Sequence, residues 1–513
     1  MLSDLASGGW LKRELCRIHS DTETAETVVD DALKALIVNM SEAGRLDLQT
    51  GLQKVLDMFP EGLRVGTACS GTDIAVVGMK HTARALKEVF PEMDLLKVSH
   101  LWSCELEEFK NEFIQRNFDV SAVYSDMAGL SAAAALNLRT ACEKPIGAVD
   151  LFVCGFSCKD FSTLNTAHLC PVDPGSSGNG TTKPKQARKT SLMTGSGTSS
   201  RTFMHTGAYL KAHHPPMFIL ENVPQILNAD DSAGHDVPGD DGGEQQQIVK
   251  GLDVLNSFFA DLGYALHVQK QNAFDSGTPQ LRHRVYMIGM RMDLVPDGDS
   301  AAFLSVIADT YSTFRRVMPA PLESYLLSMD EIEEWRRNAV QKQRRRAGGS
   351  TEGKWTPLHA ETYRSKGLQW PPSTQALQSV CGAAYTGDNA TDVFQLSRRE
   401  AEIVFYLDKV SPSPDASIAE EAMDVSQNID RVHVGHDKVY CLTPGQRVFL
   451  RRRRRLLLGE EALRLQGLWR GDARALRTSS DAQLSDLAGN AFCITSFCSA
   501  FLCLISSWGR LGS

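Results

Sequence analysis

The chain has 513 residues, 42% of them apolar and 23% charged, with 40 glycines and 20 prolines, which is ordinary globular material and excludes a disordered, collagenous or repeat protein. Its net charge of −8 excludes an overall basic coat and leaves a local basic cleft as the form that a nucleic-acid contact would take. Twelve cysteines without one CxxC pair fit neither a disulfide framework nor a zinc site, and they point to a reducing compartment.

A chain this long is expected to hold two to four structural units, or one large α/β domain with a long insertion. The opening MLSDLASGGWLKRELC lacks the apolar core of a signal peptide. Residues 1–62 alternate apolar and charged positions at helical spacing, as in ETVVDDALKALIVNM, and read as an N-terminal helical segment. From residue 63 the texture changes to short apolar runs: LRVGTACS, LKVSHLWSCE, AVYSD, VDLFVCG, MFILENV, YALHVQKQN and RVYMIGM. Runs of this length divided by helical stretches predict βαβ units and a mainly parallel sheet covered by helices on both faces, an α/β core over 63–291.

Residues 163–200 are rich in Ser, Thr and Gly and read as a loop, and residues 229–247 as an acidic, Gly-rich surface insertion. Over 292–437 the α/β texture disappears, and the basic run RRNAVQKQRRR and the linker-like SPSPDAS mark a separate smaller module. Residues 438–513 return to the core. Residues 491–508, AFCITSFCSAFLCLISSW, are uncharged over nearly the length that spans a bilayer. Five of them are Ser or Thr, and no second such run exists, so a buried core helix is expected and no membrane contact.

Ligands of open parallel sheets sit beyond the carboxyl ends of the strands. The first such turn is CSGTDIA, where Gly71 suits either a ligand turn or a plain tight turn. Glu105 follows the second strand, where a nucleoside ribose is commonly held, and Asp126 follows the third; each suits a ligand contact or a helix N-terminus equally. Cys158 stands just beyond the fourth strand, exposed enough for a nucleophile, whereas Cys154 inside that strand reads as inert core. Glu221 in ENV ends the fifth strand, as a general acid or as a helix cap. Gln280, Arg282 and Arg284 alternate into the last strand and so share one face. Arg451 to Arg455 read as a nuclear targeting signal, a DNA backbone contact or a solvated helix face. His213, His214 and His283 lack ligand spacing, and no metal site is expected.

Taken in order, these residues resemble the cytosine-5 DNA methyltransferase family. The matches are CSGTDIA, CELEE, SDM, GFSCKDFS in place of the family's Pro-Cys-Gln motif, ENV, PQLRHR, RRLLLGEEALRLQG and AGNAF, which together cover about four fifths of the chain. The resemblance implies a Rossmann-like methyltransferase sheet with an inserted target recognition domain, placed at 292–437. It implies S-adenosylmethionine as cofactor, held by Ala68, Cys69, Gly71, Thr72, Glu105, Leu106, Asp126, Met127, Asn490 and Ala491.

Cys158 would be the thiolate that adds to carbon 6 of a flipped-out cytosine, Glu221 the group at ring N3, and Arg284 the contact to the base oxygen, with Asn222, Gln280 and Arg282 bracing the site. DNA is the implied partner and the nucleus the implied location. Transfer RNA as substrate, and a catalytically inactive DNA-binding relative, are the alternatives. The chain departs from the family at Ser157 and Lys159, which stand for proline and glutamine, and at Asp73 and Ile74, which stand for glycines. A neighbouring ammonium favours a thiolate. The loop after Cys158 is longer than the family's closing loop, and its Lys183, Lys185, Arg188 and Lys189 are placed to reach phosphates.

Overall fold

The computed structural model describes residues 27–161, 192–193, 197–228, 236–238, 244–246, 251–295, 299–314, 316–338, 352–387, 395–412, 419–473 and 476–510. The basic residues of the loop after Cys158, the acidic insertion apart from 236–238 and 244–246, and the basic run beyond residue 338 lie outside them.

Each apolar run of the 63–291 region becomes a strand. In chain order these are β1 (Leu63–Ala68), β2 (Val98–Cys104), β3 (Ala122–Tyr124), β4 (Ala134–Asn137), β5 (Cys142–Pro145), β6 (Leu151–Cys154), β7 (Met217–Asn222), β8 (Tyr264–Asn272) and β9 (His283–Arg291). One seven-stranded sheet has the order β8-β9-β7-β6-β1-β2-β3. Strands β3, β2, β1, β6 and β7 run parallel, and β9 is antiparallel to both β7 and β8. β4 and β5 form a separate hairpin that the sequence reading did not anticipate. Wherever β6 and β7 pair, both are buried on both faces, which is why they read as continuous apolar runs and not as alternation. Within β1, Gly66 faces Trp102 of β2, whose ring carbons would lie 2.4 Å from any Cβ there; only glycine lets these strands pair at that register.

The N-terminal segment is helical where it is described, as α1 (Val28–Val38) and α2 (Glu42–Met58). Its placement explains its pattern: Leu33, Ile37, Leu48 and Leu52 are buried in the same core as the sheet. The uncharged C-terminal run is a core helix, residues 494–510, and residues 494–509 are buried throughout. It crosses α2 at glycines, since a Cβ on Gly51 would meet Ile505 O and one on Gly509 would meet Asp47 O.

The 292–437 region packs in two parts. Phe303, Ile307, Leu322, Tyr325 and Leu326 are buried in the main core. A second apolar cluster runs from Tyr363 through Leu377, Ile403 and Met423 to Phe449 and Leu456. It is built from helices 374–381 and 398–410 and from a small sheet of β10 (Glu421–Asp424), β11 (Val434–His436), β12 (Val448–Leu450) and β13 (Arg455–Leu456). Arg451 to Arg454 make the turn between β12 and β13, so the five arginines are not a helix face. Arg451 is paired with Glu421, Arg453 with Glu323 and Arg455 with Glu461, which leaves Arg452 and Arg454 as the exposed members.

Candidate active site

The turn after β1 is strained. Cys69, Gly71 and Asp73 have φ of 49°, 53° and 49°, a left-handed conformation that costs a non-glycine residue roughly 1–2 kcal/mol. Asp73 tolerates it because its carboxylate is used below the turn, accepting from Thr67 Oγ1 and Ser103 Oγ, both at 2.6 Å. The aspartate that stands for a glycine therefore ties β1 to β2 beneath the turn and leaves the space above it free.

Glu105 links two loops. Its Oε2 accepts from Gly71 N at 2.8 Å, and its Oε1 accepts from the N–H groups of Leu106 and Glu107 at 2.9 and 3.1 Å. Leu106 beside it is 73% exposed, an apolar side chain left in water at the carboxyl edge of the sheet. The Thr72 hydroxyl is buried without a partner. Asp126 caps the short helix that follows it, accepting from Ala128 N at 2.9 Å, and Met127 Sδ touches Cys69 Sγ at 3.2 Å. On the far side Asn490 bonds Asp486, and Ala491 presents its carbonyl to Arg282. Lys110, buried between Glu107 and Asp486, ties the Glu105 turn to that C-terminal edge; nothing in the motif pattern had marked it.

Cys158 lies half-buried beyond β6, and Cys154 is fully buried within the strand. Glu221 ends β7 and pairs with Arg284 of β9, Oε1 to Nε at 2.7 Å. Burial and the nearby Glu221 carboxylate push the Cys158 thiol up, while Arg284 and Arg282 act against that rise. Asn222 holds the nucleophile turn, donating from Nδ2 to Phe156 O at 3.0 Å. Ser157 N donates to Thr202 Oγ1 at 3.2 Å, so serine in place of proline is held by a side chain and not by its ring. Asp160 and Ser199 clasp each other: Ser199 N donates to Asp160 Oδ2 at 2.7 Å, and Asp160 N to Ser199 Oγ at 3.0 Å.

Gln280 and Arg282 spend their hydrogen bonds mainly on the returning C-terminal segment. Gln280 is fully buried between Leu442 N and Leu465 O. Arg282 donates to Leu442 O at 2.8 Å, Ala491 O at 2.7 Å and Gly489 O at 3.3 Å. These two join the catalytic hairpin to the returning C-terminal segment. Arg284 alone of the three faces Glu221. His213 stacks on Tyr209 and bonds Leu130 O, and the described residues contain no His, Cys, Asp and Glu group that would hold a metal ion.

A sheet with one reversed strand, turns at the carboxyl ends of β1 to β3, a thiol just beyond β6, a carboxylate at the end of β7 and a guanidinium at the start of β9 is a Rossmann-like methyltransferase arrangement. The model of the C-5 cytosine-specific DNA methylase family matches residues 185–496, and the chain belongs to that family. The chain is 26% identical over 456 residues to the DNA (cytosine-5-)-methyltransferase DMT5 of Cryptococcus neoformans, covering 86% of this chain and 17% of that protein. The Verticillium dahliae protein of the same name is 25% identical over 505 residues, covering 89% and 20%. The chain thus spans about a fifth of the length of the curated relatives it matches. Among solved structures the Schizosaccharomyces pombe Dnmt2 methyltransferase is similar, with TM-score 0.38 and 13% identity, covering 86% of this chain and 98% of that one.

Proposed function

We propose that this chain transfers a methyl group from S-adenosylmethionine to carbon 5 of cytosine in DNA. The observation that carries the reading is the convergence of Cys158, Glu221 and Arg284 from three strands on one edge of the sheet.

The residues fit the cofactor. The buried, unpartnered Thr72 hydroxyl, the Gly71 turn, the Glu105 carboxylate and exposed Leu106 form a cradle for a nucleoside, with Glu105 toward the ribose hydroxyls and Leu106 toward the flat face of the base. S-adenosylmethionine bound there supplies an electrophilic methyl group. Asp126 and Met127 line the same edge, as do the Asn490 and Ala491 backbones.

Cytosine carbon 5 is a weak nucleophile until a thiolate adds at carbon 6. In the resting site the Cys158 thiol is held up by burial and by the Glu221 anion. When Glu221 takes a proton from solvent and shares it with ring N3, its charge is neutralised and the thiolate becomes easier to form, the thiol proton passing to solvent. Arg284, freed from part of its pairing, then faces the base oxygen and offsets the developing charge. Arg282 and Gln280 keep the hairpin in place and touch no substrate. A thiolate cannot reach carbon 6 of a base stacked in a duplex, so the reading requires the cytosine to be swung out. We assign the cluster from Tyr363 to Leu456 to target recognition and residues 300–326 to the catalytic core, on packing. A DNA substrate carries a nuclear location with it; the arginine run adds little, since three of its five members are paired.

The test is transfer of labelled methyl to unmethylated DNA, hemimethylated DNA and transfer RNA, with Cys158→Ala in parallel. Cys158-dependent label on DNA is expected. Label on RNA alone, or none on any substrate despite normal cofactor binding, overturns the reading.

A further inference from the structure

A second sulfur meets the active-site arginines. The parallel pairing of Gln280 and Leu281 with Val439 and Tyr440 delivers Cys441 to the hairpin that carries Arg282 and Arg284. Its Sγ lies 3.5 Å from Arg284 Nη2 and 3.6 Å from Arg282 Nη1. Arg284 is thereby engaged on every edge: Nε on Glu221, Nη1 on His283 O at 2.7 Å, and Nη2 on the sulfur. A guanidinium is a rigid planar fork, so three partners in three directions fix its plane as well as its position.

We propose, resting on the function assigned above, that Cys441 is a positioning residue: its sulfur, held between two guanidiniums, sets the plane of Arg284 opposite Glu221. The groups that act on it are Arg284 and Arg282, while Glu221 and Cys158 face Arg284. Burial raises the Cys441 thiol, but the two arginines outweigh burial and bring it below the ordinary value. Cys158, beside the Glu221 carboxylate, moves the other way. The two sulfurs are therefore shifted in opposite directions, Cys158 up and Cys441 down. Removing the Cys441 sulfur frees one edge of Arg284, and the guanidinium can then rotate about its remaining contacts.

Thiolates absorb near 240 nm and thiols do not. In the full chain carrying Cys158→Ser, a titration is expected to show a one-thiolate step below the ordinary cysteine value of about 8.5, and Cys441→Ser added to that chain should abolish it. A titration without the early step overturns the proposal, and it needs no Cys441 variant to fold.

With Cys158 intact, Cys441→Ser and Cys441→Ala should each lower kcat roughly ten- to a hundredfold, leaving the KM for S-adenosylmethionine within about twofold. Full rescue by serine, which keeps the shape and loses the charge, also overturns it. The absorbance step does not depend on methyl transfer, so an early step in a wild-type chain that methylates nothing sinks the assigned function and leaves the thiolate standing.

Discussion

Arg282→Met removes the bond donors that hold the catalytic hairpin to the C-terminal segment while keeping an unbranched side chain in the same channel. Arg282 is 3% exposed, so solvent does not replace what is lost. Two short bonds, to Leu442 O and Ala491 O at 2.8 and 2.7 Å, carry most of the interaction, at roughly 1.5–3 kcal/mol each for a charged donor. Relief from burying the guanidinium offsets part of that sum. The expected net loss is roughly 2–5 kcal/mol, against a typical total stability of about 5–15 kcal/mol. Urea unfolding should show a lower midpoint with an unchanged slope. Arg282→Lys keeps the charge but cannot reach both carbonyls as a fork, so it should fall between the two proteins. A methionine variant within about 0.5 kcal/mol of wild type, or a lysine variant equal to it, would refute the reasoning.

Glu221→Gln removes the anion that raises Cys158 and releases Arg284 to act on the sulfur, so alkylation of Cys158 near neutral pH should quicken while methyl transfer falls about a hundredfold or more; a slower alkylation would show the sign to be wrong. Gly155→Ala places a Cβ 2.8 Å from the Phe492 ring and 3.7 Å from Glu221 Oε2, and the overpacking should cost roughly 1–3 kcal/mol, read as a lower melting temperature together with reduced methyl transfer. His81 is buried against Asp30 and Asp472 at 2.6 and 3.0 Å. Burial lowers its pKa, but the two carboxylates outweigh burial and raise it. Its contribution is thus complete below the unfolded value of about 6.5 and is lost as pH rises through the higher folded value. Hydrogen exchange in α1 should therefore speed up over that rise, beyond the intrinsic effect of pH, and His81→Gln should remove the excess; an equal response in both proteins would count against it.

The sheet and the strand-end residues were legible because both follow from local rules: buried parallel strands write themselves as apolar runs, and chemistry collects where those runs stop. Cys158, Glu221 and Arg284 met at one edge accordingly. What the pattern could not carry was contact between residues far apart in sequence. Asp73 looks like a damaged glycine turn until Thr67 and Ser103 are seen beneath it. Gln280 and Arg282 share a face with Arg284 in the alternation, yet their partners at 442, 465 and 489–491 turn them into structural ties. Cys441 carries no motif at all. Its role depends on a two-residue strand contact brought about by folding across about 160 residues. Of the readings open for the five arginines, the helix face fails for the same reason, since they form a turn whose acidic partners Glu421, Glu323 and Glu461 come from three different places in the chain.

The Asp160–Ser199 clasp has a consequence for how this site can change. It joins the end of the nucleophile turn to the helix beginning at Thr198, so with the Asn222 and Thr202 bonds it holds Cys158 by contacts local to the turn and not by the length of chain between Asp160 and Ser199. The entropy of closing such a loop grows only with the logarithm of its length, about 0.6 kcal/mol for each doubling.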